Sequence, residues 1–132
     1  MAQNGAQVYG RGIAFPPRGD ARGRLAYAEG VDNVRESIRL ILLTEPRERV
    51  MLPEFGAGLK RFLFRPNNAA THRLIEEAIT RALGRWERRV RVDAVRVAAD
   101  PVDRGVATAT VRFTLVAGQV QDELQLRLVL QG

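Results

Sequence analysis

The change of hydrophobic period near residue 90 constrains the fold of this chain more than any other feature of its sequence. Before that point apolar residues recur at helical spacing, and after it they alternate with polar residues up to residue 130. The final segment alternates most cleanly, and Asp122 is the one polar residue on its apolar face. That face consists of Val120, Leu124, Leu126, Leu128 and Leu130. The pattern predicts a half-buried strand of an antiparallel sheet.

Three strands are expected after the change of period. The first covers residues 90–98, and its alternation slips at Asp93, which predicts a β-bulge. The second is centred on the alternating segment Val111 to Leu115, and the third is the final segment. Turn sequences at residues 100–105 and 117–119 connect the strands. Connections this short favour an antiparallel meander.

Two main helices are expected before the change of period. The first covers residues 31–43, with Asp32 as its expected N-cap. The second covers residues 69–89, and Asn67 or Asn68 is expected to cap it. Both carry an apolar stripe that is typical of a helix packed on a core. The stripes are Val34, Ile38, Ile41 and Leu42 in the first helix, and Leu74, Ile75, Ala78, Ile79, Ala82, Leu83 and Trp86 in the second.

The first thirty residues are expected to form an extended arm. Glycines punctuate residues 1–30, Pro16-Pro17 blocks a helix, and the segment Val8 to Phe15 is expected to form one short strand. Residues 31–132 are expected to form a single domain, because 132 residues suit one core. The predicted fold class is α+β, with two main helices packed on one face of a small antiparallel β-meander and an extended N-terminal arm.

The composition excludes several classes of active site. The chain has no Cys, which rules out disulfides, thiol nucleophiles and Cys-ligated metal centres. It has one His and one Ser, His72 and Ser37, so a catalytic triad would need both and His-rich metal sites are ruled out. We therefore predict no catalytic residue, no metal and no cofactor. The net charge is +6, and 20 of the 21 basic residues are Arg. An assembly module or a polyanion binder fits this composition best.

No segment resembles a targeting or membrane element. The longest apolar run, Leu40 to Leu43, is far shorter than the roughly 20 residues that a membrane helix needs. The first twelve residues lack the apolar stretch of a signal peptide. We expect a cytoplasmic protein without a membrane partner.

Three glutamates cluster in the predicted loop at residues 44–58. They are Glu45, Glu48 and Glu54. Paired carboxylates can hydrolyse glycosides, so cleavage of peptidoglycan is one alternative function. Arg47, Arg49 and Lys60 lie in or beside the loop and would hold the carboxylates ionised, which leaves no protonated acid. A salt-bridged loop is the favoured interpretation, and the chain is not expected to be an enzyme.

Four arginines and one tryptophan lie between Arg85 and Arg91, where the second helix runs into the first strand of the meander. Trp and Arg are enriched in interface hot spots, so the cluster favours protein docking. Cations solvated at a helix C-terminus are the structural alternative. The functional alternative is an Arg-rich module that binds polyanions or nucleic acid, although Glu87 interrupts the patch.

The final strand is expected to lie at an edge of the sheet. It carries none of the Lys, Pro or bulge features that usually protect an exposed edge. An open edge accepts a strand from another chain, which is β-strand addition. The alternative is that the strand of the N-terminal arm covers this edge.

Several short segments, taken in order along the chain, resemble one family of baseplate proteins. The sharpest are Met51-Leu-Pro-Glu-Phe-Gly56, Leu63-Phe-Arg-Pro66 and Trp86-Glu-Arg-Arg-Val90. Gly10-Arg-Gly-Ile-Ala-Phe-Pro16 and Leu42-Leu-Thr-Glu-Pro-Arg-Glu-Arg49 precede them. The set is similar to the baseplate-wedge or sheath-initiator family of contractile tails. That family includes wedge subunits of myophage baseplates and baseplate subunits of type VI secretion systems and extracellular contractile injection systems.

The resemblance implies a docking signature. Members carry Glu-Pro-Arg at the end of the long helix, which Glu87 and Arg89 match, while Arg88 replaces the Pro. The signature implies docking to other baseplate wedge proteins. Some members carry the name lysozyme, but this chain shows no convincing pair of acid and nucleophile.

The resemblance also implies a mechanism of assembly. The C-terminal sheet would pair with arms of the sheath subunit and initiate sheath assembly by β-strand addition. Six copies would surround the tail axis of a phage tail-like particle, and nucleic acid is not an expected partner. The expected protein-interaction residues are Trp86, Glu87, Arg88, Arg89, Leu124, Leu126, Leu128 and Leu130.

Overall fold

A computed structural model of the chain describes residues 8–10, 12–15, 28–47 and 54–132. Its two α-helices are α1 (Ala28–Leu43) and α2 (Ala69–Trp86), and a short 3-10 helix, Leu59–Phe62, precedes α2. Its five strands are β1 (Val8–Gly10), β2 (Ile13–Ala14), β3 (Val90–Ala99), β4 (Val106–Leu115) and β5 (Val120–Val129).

The strands form one antiparallel sheet in the order β1-β2-β5-β4-β3. Strands β3, β4 and β5 form the predicted meander, and the α+β fold class is confirmed. The register of β3 against β4 shifts between Val92 and Ala94, so the predicted bulge at Asp93 is also confirmed. At one end of the sheet Val90 pairs with Leu115, which pairs in turn with Val120.

The prediction that the final strand lies at the edge of the sheet is wrong. Strand β2 pairs with the end of β5, with Ile13 opposite Leu128 and Ala14 opposite Arg127. The arm forms two short strands rather than one, because the chain reverses at Gly12, whose φ is +89°. A side chain at that position would also lie only 3.1 Å from Leu63. The alternative in which the arm covers the last strand therefore holds for the end of β5.

Both α-helices differ from prediction at one end. Helix α1 begins at Ala28, so Asp32 lies inside the helix and is not its N-cap. Helix α2 ends at Trp86 rather than at residue 89, because Glu87 leaves the helical region with φ −122° and ψ 87°. The predicted cap of α2 is confirmed, since the amide of Thr71 donates to Oδ1 of Asn68 at 3.0 Å.

One hydrophobic core joins the apolar faces of α1, α2 and the sheet. The alternating leucines of β5 are buried, while the polar residues between them are exposed. Further core residues come from β2, β3, β4, the 3-10 helix and the predicted stripes of both helices, except Leu74, which is exposed. The largest side chains with almost no exposure are Phe15, Phe113, Ile13, Ile38, Ile41, Leu42, Leu59, Ile75, Ile79, Leu83, Leu124 and Leu126.

Candidate protein-interaction site

A buried carboxylate organises the corner at which α2 gives way to β3. Glu87 is only 3% exposed. Its amide donates to the carbonyl of Leu83 at 2.9 Å and so closes the last turn of α2. Arg89 donates from Nε to Oε1 and from Nη2 to Oε2 of Glu87, both at 2.9 Å. This bidentate ion pair fixes the guanidinium of Arg89 at the surface of the corner.

The electrostatics of the corner favour the charged form of both groups. Burial by itself raises the pKa of Glu87, but hydrogen bonds from Arg89 and from Ser37 of α1 outweigh it, so the pKa lies below its usual range. The hydrogen bond with Glu87 raises the pKa of Arg89. The Arg89 side chain is 56% exposed. It uses two of its five N–H groups on Glu87, and three remain for a partner.

A mostly apolar groove lies beside this corner. Its volume is about 380 Å³, and it runs between the start of α1 and the turn after β4. Its lining includes Asn33, Val34, Arg88, Arg89, Leu115 and Val116. Val116 is among the exposed large hydrophobic residues of the described chain. An apolar groove flanked by two guanidinium groups suits a protein segment that offers an apolar and an acidic side chain.

Trp86 faces a different cleft from the groove at Arg88 and Arg89. Its ring packs edge-on against Phe55, with 5.1 Å between ring centroids. The guanidinium of Arg85 lies 4.6 Å from the centroid of the indole and is 2.6 Å from Oε1 of Glu54. Trp86 therefore contacts the loop before the 3-10 helix, while Glu87, Arg88 and Arg89 share the corner.

Most of the arginine cluster is paired with carboxylates. Arg85 binds Glu54, Arg89 binds Glu87, and Nε of Arg91 lies 3.0 Å from Oδ1 of Asp93. In the described part of the chain, Arg88 alone among the four has no such ion pair. Paired arginines gain less from binding phosphate than free ones, so this arrangement disfavours the polyanion alternative.

The four leucines expected to take part in strand pairing are all buried. Leu124, Leu126, Leu128 and Leu130 belong to the core, so their side chains are not available to a partner. The backbone of β5 is different. The amide of Leu130 donates to the carbonyl of Gly105, immediately before β4. Because hydrogen bonds to a neighbouring strand alternate along the chain, the backbone N–H and C=O groups of the odd-numbered residues point away from β4. Pairing with β2 covers only residues 127–128.

Gln121, Glu123 and Gln125 thus direct backbone groups away from β4 along the half of β5 beyond the residues paired with β2. The middle position is closed from within the chain. Nη1 of Arg35 donates to the carbonyl of Glu123 at 2.5 Å, and the amide of Glu123 donates to Oδ1 of Asp122 at 2.8 Å. Arg35 also lies 3.3 Å from Asp122. The sequence pattern did not predict this closure, although Asp122 on an apolar face was a signal for it.

The loop carboxylates do not assemble a hydrolytic pair among the described residues. Glu54 binds Arg85, and Oε2 of Glu45 accepts from the backbone amide of Lys60 at 3.1 Å. Glu48 lies outside the described residues. His72 is half-buried against Asn67, and burial lowers the pKa of His72. No group of acidic or His side chains that could hold a metal occurs in residues 8–10, 12–15, 28–47 and 54–132.

Neither α-helix in the described segments combines the length and the hydrophobicity that a membrane-spanning helix requires.

Comparison with known proteins identifies relatives of this fold. A crystal structure of a protein from Geobacter sulfurreducens that bears the name tail lysozyme is 30% identical. It covers 82% of this chain and 96% of its own, with a TM-score of 0.69. A chain of the anti-feeding prophage baseplate, a six-fold symmetrised cryo-EM structure, is 27% identical. It covers 64% of this chain and 68% of its own, with a TM-score of 0.61.

No curated protein shows significant sequence similarity to this chain. The family model described as baseplate wedge protein gp25 matches residues 28–121, which include both helices, the corner between α2 and β3, β3 and β4. Because that match spans well over half of the sequence, the chain belongs to the baseplate wedge protein gp25 family.

Proposed function

We propose that this protein is a structural subunit of a contractile-tail baseplate that docks to other wedge proteins and initiates sheath assembly by β-strand addition. The observation that carries the proposal is the corner at Glu87 and Arg89, because it holds an exposed guanidinium rigidly beside an apolar groove. Membership of a baseplate family supports the structural role. Assembly takes place in the cytoplasm, and the product is a phage tail-like particle.

Docking uses Arg88, Arg89 and the adjacent groove. Glu87 is a positioning residue, since its buried carboxylate aligns Arg89 rather than facing a partner. A partner segment places an apolar side chain in the groove and a carboxylate against the guanidinium groups. Such an arrangement resembles an interface hot spot, in which a desolvated apolar contact is flanked by arginine.

Strand addition uses the half of β5 that β2 leaves uncovered. The core leucines hold this strand in register, and Gln121, Glu123 and Gln125 offer the outward backbone groups. In the isolated chain, Arg35 binds the carbonyl of Glu123, and Asp122 accepts a hydrogen bond from its amide. These contacts protect the edge against unwanted pairing. An arm of the sheath subunit displaces both contacts and pairs with β5 on the same side as β2, along the residues that β2 does not cover.

We propose that six copies surround the tail axis, and the symmetry of a related particle supports this number. The related anti-feeding prophage baseplate is a six-fold symmetrised structure. One copy of this chain in each wedge would present six equivalent strands to the first sheath ring, and closed rotational symmetry is the usual arrangement of such assemblies.

A proline at residue 125 tests strand addition. The amide of Gln125 faces away from β4, so Gln125→Pro leaves the ladder with β4 intact and removes one donor from the side on which β2 pairs only with residues 127–128. We expect baseplates that contain the variant but carry no sheath in electron micrographs. Gln125→Thr keeps the amide and serves as the control. Sheaths of normal length on Gln125→Pro baseplates would contradict this mechanism.

A charge reversal tests docking separately. Arg88→Glu repels an acidic partner, so we expect at least a tenfold loss of the chain from purified baseplates. Arg73→Glu, which changes an exposed arginine on α2, is the matched control. Equal incorporation of both variants would show that the corner is not a docking site.

A further inference from the structure

An exposed aromatic side chain occupies a turn that favours glycine. Leu63 has φ −63° and ψ 141°, Phe64 has φ +65°, and the amide of Arg65 donates to the carbonyl of Phe62 at 3.1 Å. These values define a type II turn with Phe64 at its third position, where Gly or Asn is preferred. A bulky residue with positive φ is a backbone outlier. Phe64 is nevertheless 65% exposed.

Hydrogen bonds clamp this turn to the end of β5. The amide of Phe64 donates to the carbonyl of Val129 at 3.0 Å, and the amide of Gln131 donates to the carbonyl of Arg65 at 2.8 Å. Asn67 ties the same segment to the turn between β3 and β4, since its Nδ2 donates to the carbonyl of Arg104 at 3.0 Å. The backbone at Phe64 is therefore held in place, so only the side-chain torsions of the ring need ordering when it binds a partner.

The left-handed backbone conformation of Phe64 is strained, and its exposed ring gains little burial in the folded chain. Strained conformations of this kind persist where the surrounding structure enforces them, and they cluster at functional positions. We propose that Phe64 anchors a second docking surface, which binds an acidic segment of a neighbouring protein subunit in the same particle. This inference rests on the proposed baseplate role and adds a partner surface to it.

The charges around Phe64 define the chemistry of the partner. Residues 58–68 contain Lys60, Arg61 and Arg65 but no Asp or Glu. All three cations are exposed, and they have no ion pair within the described residues. The partner must therefore supply carboxylates around an apolar pocket that takes the ring. Phe62 is buried, so only one ring is offered, which favours a protein over stacked nucleic-acid bases.

The second surface lies at the opposite end of the sheet from the docking corner. The corner precedes Val90, which is in register with Leu115 and Val120, whereas Phe64 is bonded to Val129. Strand β5 has ten residues between these ends, which corresponds to about 30 Å. The two surfaces are therefore separate, and a single copy has room to bind a different neighbour at each.

The test uses assembled particles in which Phe64 is replaced. Asn tolerates positive φ, so Phe64→Asn keeps the turn and removes the ring. We expect at least a tenfold loss of this variant from particles and a melting temperature of the isolated chain within a few degrees of the wild type. Leu40→Asn changes another exposed apolar residue, on α1, and should be incorporated normally. Replacement of Phe64 by p-benzoylphenylalanine should give a photo-crosslink to an acidic segment of another subunit.

The outcomes separate this inference from the proposed function. Normal incorporation of Phe64→Asn, together with loss of Arg88→Glu, would overturn the second surface and leave the first standing. A crosslink from residue 64 to nucleic acid, or to no other chain, would also overturn it. Absence of the wild-type chain from purified baseplates would overturn both proposals.

Discussion

The corner at Glu87 and Arg89 and the turn at Phe64 present their exposed side chains by different physical means. At the corner, a buried side-chain carboxylate aligns Arg89 through two charge-assisted hydrogen bonds. At the turn, backbone hydrogen bonds to Val129 and from Gln131 hold Phe64 outward in a left-handed conformation. The first arrangement stabilises the fold and depends on charge, whereas the second costs about 1–2 kcal/mol of backbone strain. Substitution of Glu87 should therefore lower the free energy of unfolding, whereas substitution of Phe64 should change it little.

The largest effect is expected from removal of the buried carboxylate. Glu87→Ala eliminates three hydrogen bonds from Arg89, two from its guanidinium and one from its backbone amide, and leaves the Ser37 hydroxyl without this acceptor. We expect a loss of about 2 kcal/mol in the free energy of unfolding, measured by urea denaturation at neutral pH. Glu77→Ala, on the exposed face of α2, should change stability by less than about 0.5 kcal/mol. Equal effects of the two substitutions would show that the ion pair does not organise the corner.

A smaller effect is expected from acid. The folded chain lowers the pKa of Glu87 below its ordinary value of 4.5. Its contribution to stability is therefore complete above about pH 4.5 and is lost as the pH falls through the lower pKa of the folded state. Glu87→Gln lacks this titration, so the difference in unfolding free energy between it and the wild type should narrow below pH 4.5. The pKa values of Asp93 and Asp100 are also lowered. The wild type and Glu87→Gln both contain these residues, so their titration cancels in the difference between the two proteins.

The smallest effect is expected at the turn. Phe64→Gly relieves the left-handed strain but adds conformational freedom to the unfolded chain, and these terms nearly cancel. We expect a change in unfolding free energy within about 0.5 kcal/mol of zero, measured by thermal and urea denaturation. The exposed ring buries little area in the folded chain, so its loss should add little to the change in unfolding free energy. A loss of more than about 2 kcal/mol would mean that Phe64 stabilises the chain and would break the contrast with Glu87.

Periodic patterns made most of the meander and both helices predictable. The stripe of α2 and the alternation of β5 are long, and most positions indicate the same buried face, although Leu74 of the stripe is exposed. The bulge at Asp93 was also visible, because one extra residue shifts every later side chain to the other face. The strand order was not predictable, since β2 has only two residues and its place beside Leu128 depends on tertiary contacts.

The exit from α2 and the turn at Phe64 show where local preference fails. Glu and Arg are good helix formers, so the sequence favours a helix to residue 89, but the ion pair between Glu87 and Arg89 needs an extended backbone. A family resemblance in the sequence identified Glu87 and Arg89 as site residues. It did not predict the geometry of their ion pair. The left-handed Phe64 has no local signal, because the contacts that enforce it come from residues at the other end of the chain.

The ten residue pairs that join β4 and β5 also determine how the subunit responds to mechanical force. Neighbours that pull on opposite ends of the sheet would strain its ladders lengthwise, in shear. Many hydrogen bonds must then break together, whereas peeling a strand from its side breaks them one after another. A subunit gripped at both ends would transmit the stroke of a contracting tail without unravelling.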